Sequence, residues 1–238
     1  MTVQVAAPTP AVLPDAPAGE TLVDRHFLHR GHGAEFEMEV DWVRSFLPVD
    51  AGRVLDVGCG SGALLGAIGK DRALGIDYCA QGLSRSSQMR GDVPVACADA
   101  TRTPFADRTM QAITAQHVIE HMKGYEAALR EWRRLLSPGG VLLILTPNVR
   151  FVDPSVFDDD THVHLFDHVD LARTLSRTGF EIINLCTLGL PWFRDYQTIP
   201  LGWRFRRFVT RRAQFLAKVP CCRWRGQTLC AAARRPTP

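Results

Sequence analysis

With 238 residues, 46% of them hydrophobic and 22% charged, the chain has the make-up of one soluble globular domain with modest extensions. It has no run of about 18 apolar residues, which argues against a transmembrane helix, and its seven cysteines, without a Cys-x-x-Cys pair, fit reduced thiols rather than a disulfide scaffold. The net charge of +3 hides an asymmetry: ten basic and no acidic residues follow Asp195, leaving the body with 18 basic against 25 acidic residues, net −7. Such a division suggests an anionic substrate, an anionic surface, or attraction of the basic part to its own body.

Met1–Gly19 carries four prolines and no basic residue. It lacks the charged start and apolar centre of a signal peptide and reads as a disordered tail over 1–20. The remainder, 21–238, reads as a single domain in which 190–222 is a lid or interfacial insertion. His26, His29 and His32 have no interleaved acid or cysteine and read as solvent-exposed or lid residues rather than metal ligands. From Glu35 to Leu47, the residues Phe36, Val40, Val43 and Leu47 fall at helical spacing, and Pro48 stops the run, giving a helix on the sheet.

The chain is organised around Arg53–Gly62. Val54, Leu55 and Val57 form the short apolar run of a buried parallel strand. Gly58, Gly60 and Gly62 follow, and Ala63–Ile68 reads as a helix. Strand, glycine turn and helix build a nucleotide site, because the turn has no side chains to block a ligand and the helix start offers unpaired N–H groups. Gly58-x-Gly60-x-x-Ala63 fits a dinucleotide fingerprint. Asp56 favours another ligand: a carboxylate there repels a pyrophosphate and attracts the ammonium and sulfonium of S-adenosylmethionine. The stretch Leu55-Asp56-Val57-Gly58-Cys59-Gly60-Ser61-Gly62 resembles the first motif of the class I S-adenosylmethionine-dependent methyltransferases. The resemblance implies cofactor contacts at Asp56, Gly58, Cys59, Gly60 and Gly62.

Arg72–Asp77 reads as the second strand. Asp77, 19 positions after Gly58, is placed to accept ribose hydroxyls, and Tyr78 to stack near the adenine. Asp77 also reads as the N-cap of a helix over Ala80–Met89. Val93–Ala98 is the third strand. The resemblance places the adenine amino group on Asp99 and a ring nitrogen on the backbone N–H of Ala100; without it, Asp99 reads as a surface loop residue. Gln111–Gln116 is the fourth strand, with Gln116 at its ligand-facing tip and counted as a cofactor contact. His117–Met122 follows, with an acidic-His step like that of the resembled family. His121 reads either as a general base or substrate contact, or as a histidine that orders the loop.

Glu126–Leu136 is amphipathic, with Leu129, Trp132 and Leu136 at spacings of three and four. Ser137-Pro138-Gly139-Gly140 ends it before a fifth strand over Val141–Thr146, and this Leu-Ser-Pro-Gly-Gly step matches the same family. After Thr146-Pro147-Asn148 comes a loop with Asp153, Asp158, Asp159, Asp160, His162, His164, Asp167 and His168. Asp160, His162 and His164 can share one face as metal ligands. In a second reading His162 or His164 serves as base in a lid, and in a third Asp167 caps a helix over Val169–Thr178. The stretch is similar to methyltransferases of quinone biosynthesis, which implies no obligatory metal.

Gly179–Ile183 opens a sixth strand, and Gln227–Ala233 is the last, entering antiparallel as the resemblance implies. Between them, Trp203–Val219 alternates aromatics with arginines. It reads as a helix roofing the substrate pocket, or as an interfacial helix at an anionic membrane on the inner face, with nucleic acid a weaker third option. The resemblance implies a doubly wound α/β sheet of seven strands in the order 3-2-1-4-5-7-6. It also implies a cytoplasmic enzyme moving a methyl group from S-adenosylmethionine to a small molecule, with His121, His162 and His164 as base candidates. The alternatives are a dinucleotide-dependent oxidoreductase and a non-catalytic S-adenosylmethionine-binding partner.

Overall fold

The computed structural model describes residues 34–48, 52–80, 83, 92–151, 160–189 and 224–237. The expectations for the 1–20 tail, for His26, His29 and His32 and for the arginine-rich stretch 203–219 fall outside these residues, as do Asp153, Asp158 and Asp159. Only Leu83 of the interior of the expected Ala80–Met89 helix is described.

Strand β1 (Val54–Val57) is buried at all four positions, as a parallel strand must be when helices cover both faces of its sheet. Its side chains alternate between two cores. Leu55 and Val57 pack with Trp132, Phe166, Leu171 and Leu175, whereas Val54 packs with Val43, Leu47, Leu64 and Leu65. The first core therefore lies under α3 (Tyr125–Leu135) and α4 (His168–Arg177), and the second under α1 (Ala34–Phe46) and α2 (Ala63–Ile68). That is a doubly wound arrangement.

The remaining strands are β2 (Ala73–Asp77), β3 (Val95–Cys97), β4 (Met110–Gln116), β5 (Leu136–Pro147), β6 (Glu181–Leu188) and β7 (Thr228–Arg234). They form one sheet in the order β3-β2-β1-β4-β5-β7-β6. All its pairings are parallel except those of β7, which runs antiparallel to both β5 and β6. The order expected from the resemblance is the one observed. It reverses at β1, between β2 and β4, and the crevice beyond the strand ends at such a reversal is where open α/β sheets bind ligands.

Strand β5 starts earlier than the sequence suggests. Leu136 pairs with Met110, and the next partners are Ala112 and Val141. Ser137–Gly140 are thus looped out opposite the single residue Gln111. Both glycines are needed for this bulge. Gly139 has φ +78°, and a Cβ on Gly140 would lie 2.9 Å from the Ser137 carbonyl oxygen and 3.1 Å from that of Gln111. Arg235, just past β7, donates from Nη1 to the carbonyls of Arg133, Arg134 and Leu136 at 2.9, 3.2 and 2.7 Å. It closes the C-terminal end of α3, where a cation also suits the helix dipole. Asp167 caps α4 as expected, its Oδ1 accepting the amides of Val169 and Asp170 at 2.8 and 2.9 Å. No described helix is long and apolar enough to cross a membrane.

Candidate active site

The glycine turn leaves β1 with Gly58, Gly60 and Gly62 all at positive φ, a backbone path that side chains on Cα would strain. It is pinned to β2 twice. The Cys59 amide donates to the Ile76 carbonyl at 3.0 Å, and the Gly60 amide donates to Asp77 Oδ2 at 2.9 Å. Asp77 Oδ1 accepts the Cys79 amide at 2.8 Å, so the capping and ligand-facing readings of this residue share one carboxylate. Burial raises the Asp77 pKa above the usual aspartate value, against the opposing pull of these backbone donors. Tyr78 beside it is 67% exposed, a ring face open to a ligand.

Asp56 lies under the turn. It is 2% exposed and faces Thr114, its register partner on β4, whose hydroxyl donates to Asp56 Oδ1 at 2.6 Å. Burial pushes its pKa up to about 7, helped by the nearby Asp77 charge and opposed by the Thr114 hydrogen bond. Asp99 follows β3, is exposed, and accepts from the Thr101 amide and hydroxyl, both at 2.8 Å through Oδ1. Ala100 is held from below: its carbonyl accepts the indole N–H of the fully buried Trp132 at 3.0 Å.

The segment after β4 lies directly against the glycine turn. A Cβ built on Gly58 would stand 2.3 Å from Val118 Cγ2. Around Val118 a buried polar network gathers. His117 sits between two carboxylates, with Nε2 3.1 Å from Glu39 Oε1 and Nδ1 3.5 Å from Glu120 Oε1. Its backbone has φ +54°, a conformation costing a non-glycine residue about 1–3 kcal/mol unless its surroundings impose it. Burial opposes the imidazolium, yet the flanking Glu39 and Glu120 hold His117 up at about 9. Burial likewise opposes both carboxylates, and the His117 charge overcomes it to keep each below the usual glutamate value. Glu39 also accepts from Gln116 Nε2 at 2.6 Å and from the Thr228 hydroxyl at 2.9 Å. The network so joins α1, the tip of β4 and the start of β7, and Gln116 commits its amide donor to Glu39. Nothing in the sequence singles out Glu39, one acid among several on an amphipathic helix.

The three base candidates do not share one place. His121 and His162 stack with ring centroids 4.7 Å apart and planes at 23°. His121 Nδ1 lies 3.1 Å from the Thr161 carbonyl oxygen and 3.0 Å from its hydroxyl. The loop bearing His162 is held there by the amides of Val163 and His164, which donate to the Glu120 carbonyl at 2.8 and 3.1 Å. His164 turns the other way. Its Nε2 pairs with Asp170 Oδ2 at 2.7 Å, and its ring packs on Tyr125 and Phe166. Asp160, His162 and His164 are therefore not assembled as a ligand set. Among the described residues, the group whose ligand atoms come within 4.8 Å of one another is Glu120, His121 and His162.

Comparison with known proteins points the same way as the geometry. A family model described as a methyltransferase domain matches residues 32–185. The demethylmenaquinone methyltransferase of Corynebacterium urealyticum is 35% identical over 97 residues, 39% of this chain and 40% of that protein. The 2-phytyl-1,4-naphtoquinone methyltransferase of Thermosynechococcus vestitus is 35% identical over 117 residues, 46% of this chain and 51% of its own. The match thus spans about half or less of these curated relatives. Among solved structures, an S-adenosylmethionine-dependent methyltransferase from Mesorhizobium loti superposes with a TM-score of 0.61 at 18% identity, covering 85% of this chain and 98% of that one. At that identity the likeness is one of fold.

Proposed function

Because the chain belongs to the class I S-adenosylmethionine-dependent methyltransferases, we propose that it methylates an oxygen, nitrogen or carbon nucleophile of a small organic acceptor. Quinone-like or lipid-linked rings and specialised metabolites are the classes considered, and the two quinone-named relatives support the first. The family match leaves the dinucleotide alternative without support.

In the reaction the acceptor forms its bond to the methyl carbon as the carbon–sulfur bond breaks. Sulfur keeps the electron pair and leaves as the thioether of S-adenosylhomocysteine, and the acceptor's proton passes to a base. The sulfonium is already reactive, so the protein's work is in-line placement and removal of that proton. In this reading Asp77 takes the ribose hydroxyls, Tyr78 and Asp99 flank the adenine, and the Ala100 amide meets a ring nitrogen. Asp56 supplies negative charge beneath the donor's cationic end. His121 and His162 are the imidazoles on the acceptor side, and His164, tied to Asp170, holds the loop that carries His162.

The observation that carries this reading is the contact of Gly58 with Val118, which sets the donor turn against the histidine-bearing segment. The test is transfer of labelled methyl from S-adenosylmethionine to a panel of quinols, phenols and amines, backed by a crude small-molecule extract. Label in a small-molecule product is expected. Saturable donor binding with no labelled product from any pool would leave a binding protein and refute the enzyme.

A further inference from the structure

We infer that Glu120, His121 and His162 form a divalent-metal site of the two-histidine, one-carboxylate type, set beside the donor turn where it can hold an acceptor's oxygen. The inference rests on the methyltransferase reading only for what the ion would do, not for whether it binds.

Three observations carry it. The first is Glu120. It is 0% exposed, and its Oε2 is held by the Thr146 hydroxyl at 3.0 Å. That bond leaves Oε1 aimed at the histidines, buried and without a hydrogen bond among the described residues. Its neighbours there are imidazole nitrogens, His117 Nδ1 at 3.5 Å and His121 Nε2 at 3.9 Å. His117 reaches this oxygen only at 3.5 Å, an ion-pair distance, so a buried lone pair of Oε1 remains that a metal ion would take up.

The second is the placing of His121. Its Nδ1 is taken up by Thr161, 3.1 Å from the carbonyl oxygen and 3.0 Å from the hydroxyl. Nε2 is then the nitrogen that faces Glu120 Oε1, and it offers its lone pair in the tautomer whose Nδ1–H donates to the carbonyl. Two electron-rich atoms 3.9 Å apart accommodate an ion about 2.0–2.2 Å from each. Fixing of the far ring nitrogen by a backbone carbonyl, and of the far carboxylate oxygen by a hydroxyl, is the outer shell usual around metal ligands.

The third is completeness. His162 adds the third ligand, with all three atoms within 4.8 Å of one another. Closing on one ion asks its ring to swing by about an ångström, since ligand atoms around a tetrahedral ion lie about 3.4 Å apart. Two imidazoles and one carboxylate with open positions suit Zn²⁺, Co²⁺ or Fe²⁺ over Mg²⁺ or Ca²⁺. An ion there would bind a hydroxyl or enolic oxygen and lower its pKa, which narrows the acceptor to an oxygen nucleophile.

The test is titration of the tag-free full chain with Co²⁺, read by visible d–d absorption and by calorimetry. One equivalent should bind in a low-symmetry, nitrogen- and oxygen-ligated site. Glu120→Gln and His162→Ala should each weaken it at least about 100-fold, and Thr146→Val about tenfold. His26, His29 and His32 remain in every variant, so adventitious uptake there would not respond to these changes. If Glu120→Gln fails to fold, His162→Ala decides alone, being a loop substitution. Absence of uptake, or uptake indifferent to His162→Ala, overturns the site. Methyl transfer that survives chelation, with no metal bound, would refute the site and leave the methyltransferase standing. Site-specific Co²⁺ binding without methyl transfer would do the reverse.

Discussion

The carboxylate of Asp77 braces the donor loop from the neighbouring strand, its Oδ2 accepting the Gly60 amide at 2.9 Å. One acid thus shapes the turn and, with about four lone-pair sites to share, keeps capacity for the ribose. Asp77→Ala removes both roles. S-adenosylmethionine affinity should fall roughly tenfold to a hundredfold, the worth of one or two charged hydrogen bonds at about 1.5–3 kcal/mol. Calorimetry measures this, with circular dichroism to show that the fold persists. Unchanged affinity would take Asp77 out of the cofactor site.

Asp56 should make donor binding depend on pH. Its pKa is raised to about 7, chiefly by burial. A bound sulfonium and ammonium would favour the carboxylate and lower that pKa, so binding expels a proton below neutrality. Affinity should therefore rise with pH up to about 7 and level off above it. Asp77 is the neighbouring acid, and Asp56→Asn isolates the effect: binding weaker and flat with pH. For stability the sign is opposite. A raised folded-state pKa gives a contribution intact below the unfolded value near 4 and lost as pH climbs to about 7. Asp56→Asn, which keeps an acceptor for Thr114, should be the more stable protein at pH 8 and no more stable at pH 4. A variant that tracks the parent at both pH values would refute this.

The central strand and its turn are legible in the sequence because burial on both faces demands an apolar run, and the positive-φ path of Gly58, Gly60 and Gly62 demands glycine. The start of β5 at Leu136 is not, because Ser-Pro-Gly-Gly has the same local chemistry whether it ends a strand or is looped out of one. Only the pairing of Leu136 with Met110 decides. The carboxylate–histidine network is hidden for a different reason. Glu39 meets Gln116, His117 and Thr228 from across the chain, and nothing local marks it. Alternation predicts His162 and His164 on one face, but that holds for a strand. Among residues 160–167 the backbone forms a single bridge, at Phe166, and Asp170 draws His164 away.

The histidines should separate kinetically. His121→Ala and His162→Ala remove the groups proposed for the acceptor side and should lower kcat by about 10²–10⁴ with donor affinity little changed. His164→Ala should act mainly on stability, through loss of the Asp170 pair and of packing on Tyr125 and Phe166. Steady-state rates with a donor-binding isotherm for each variant check this. Full turnover in both His121→Ala and His162→Ala would dismiss them from the chemistry.

Gly140→Ala tests the bulge that sets the register of β5. The new Cβ would press on two backbone carbonyls, those of Ser137 at 2.9 Å and Gln111 at 3.1 Å, and neither is a side chain that can swing aside. The bulge is also where Arg235 closes on α3 and Leu136. Relief therefore means shifting the strand start, and a cost of about 1–3 kcal/mol follows. Urea unfolding should show a lower midpoint with an unchanged m-value, since the same surface is buried. Gly124→Ala makes the control, because its nearest neighbour, Thr101 Cγ2, would be 3.8 Å from the added carbon. Equal midpoints for the two variants would mean the bulge yields freely and does not hold the register.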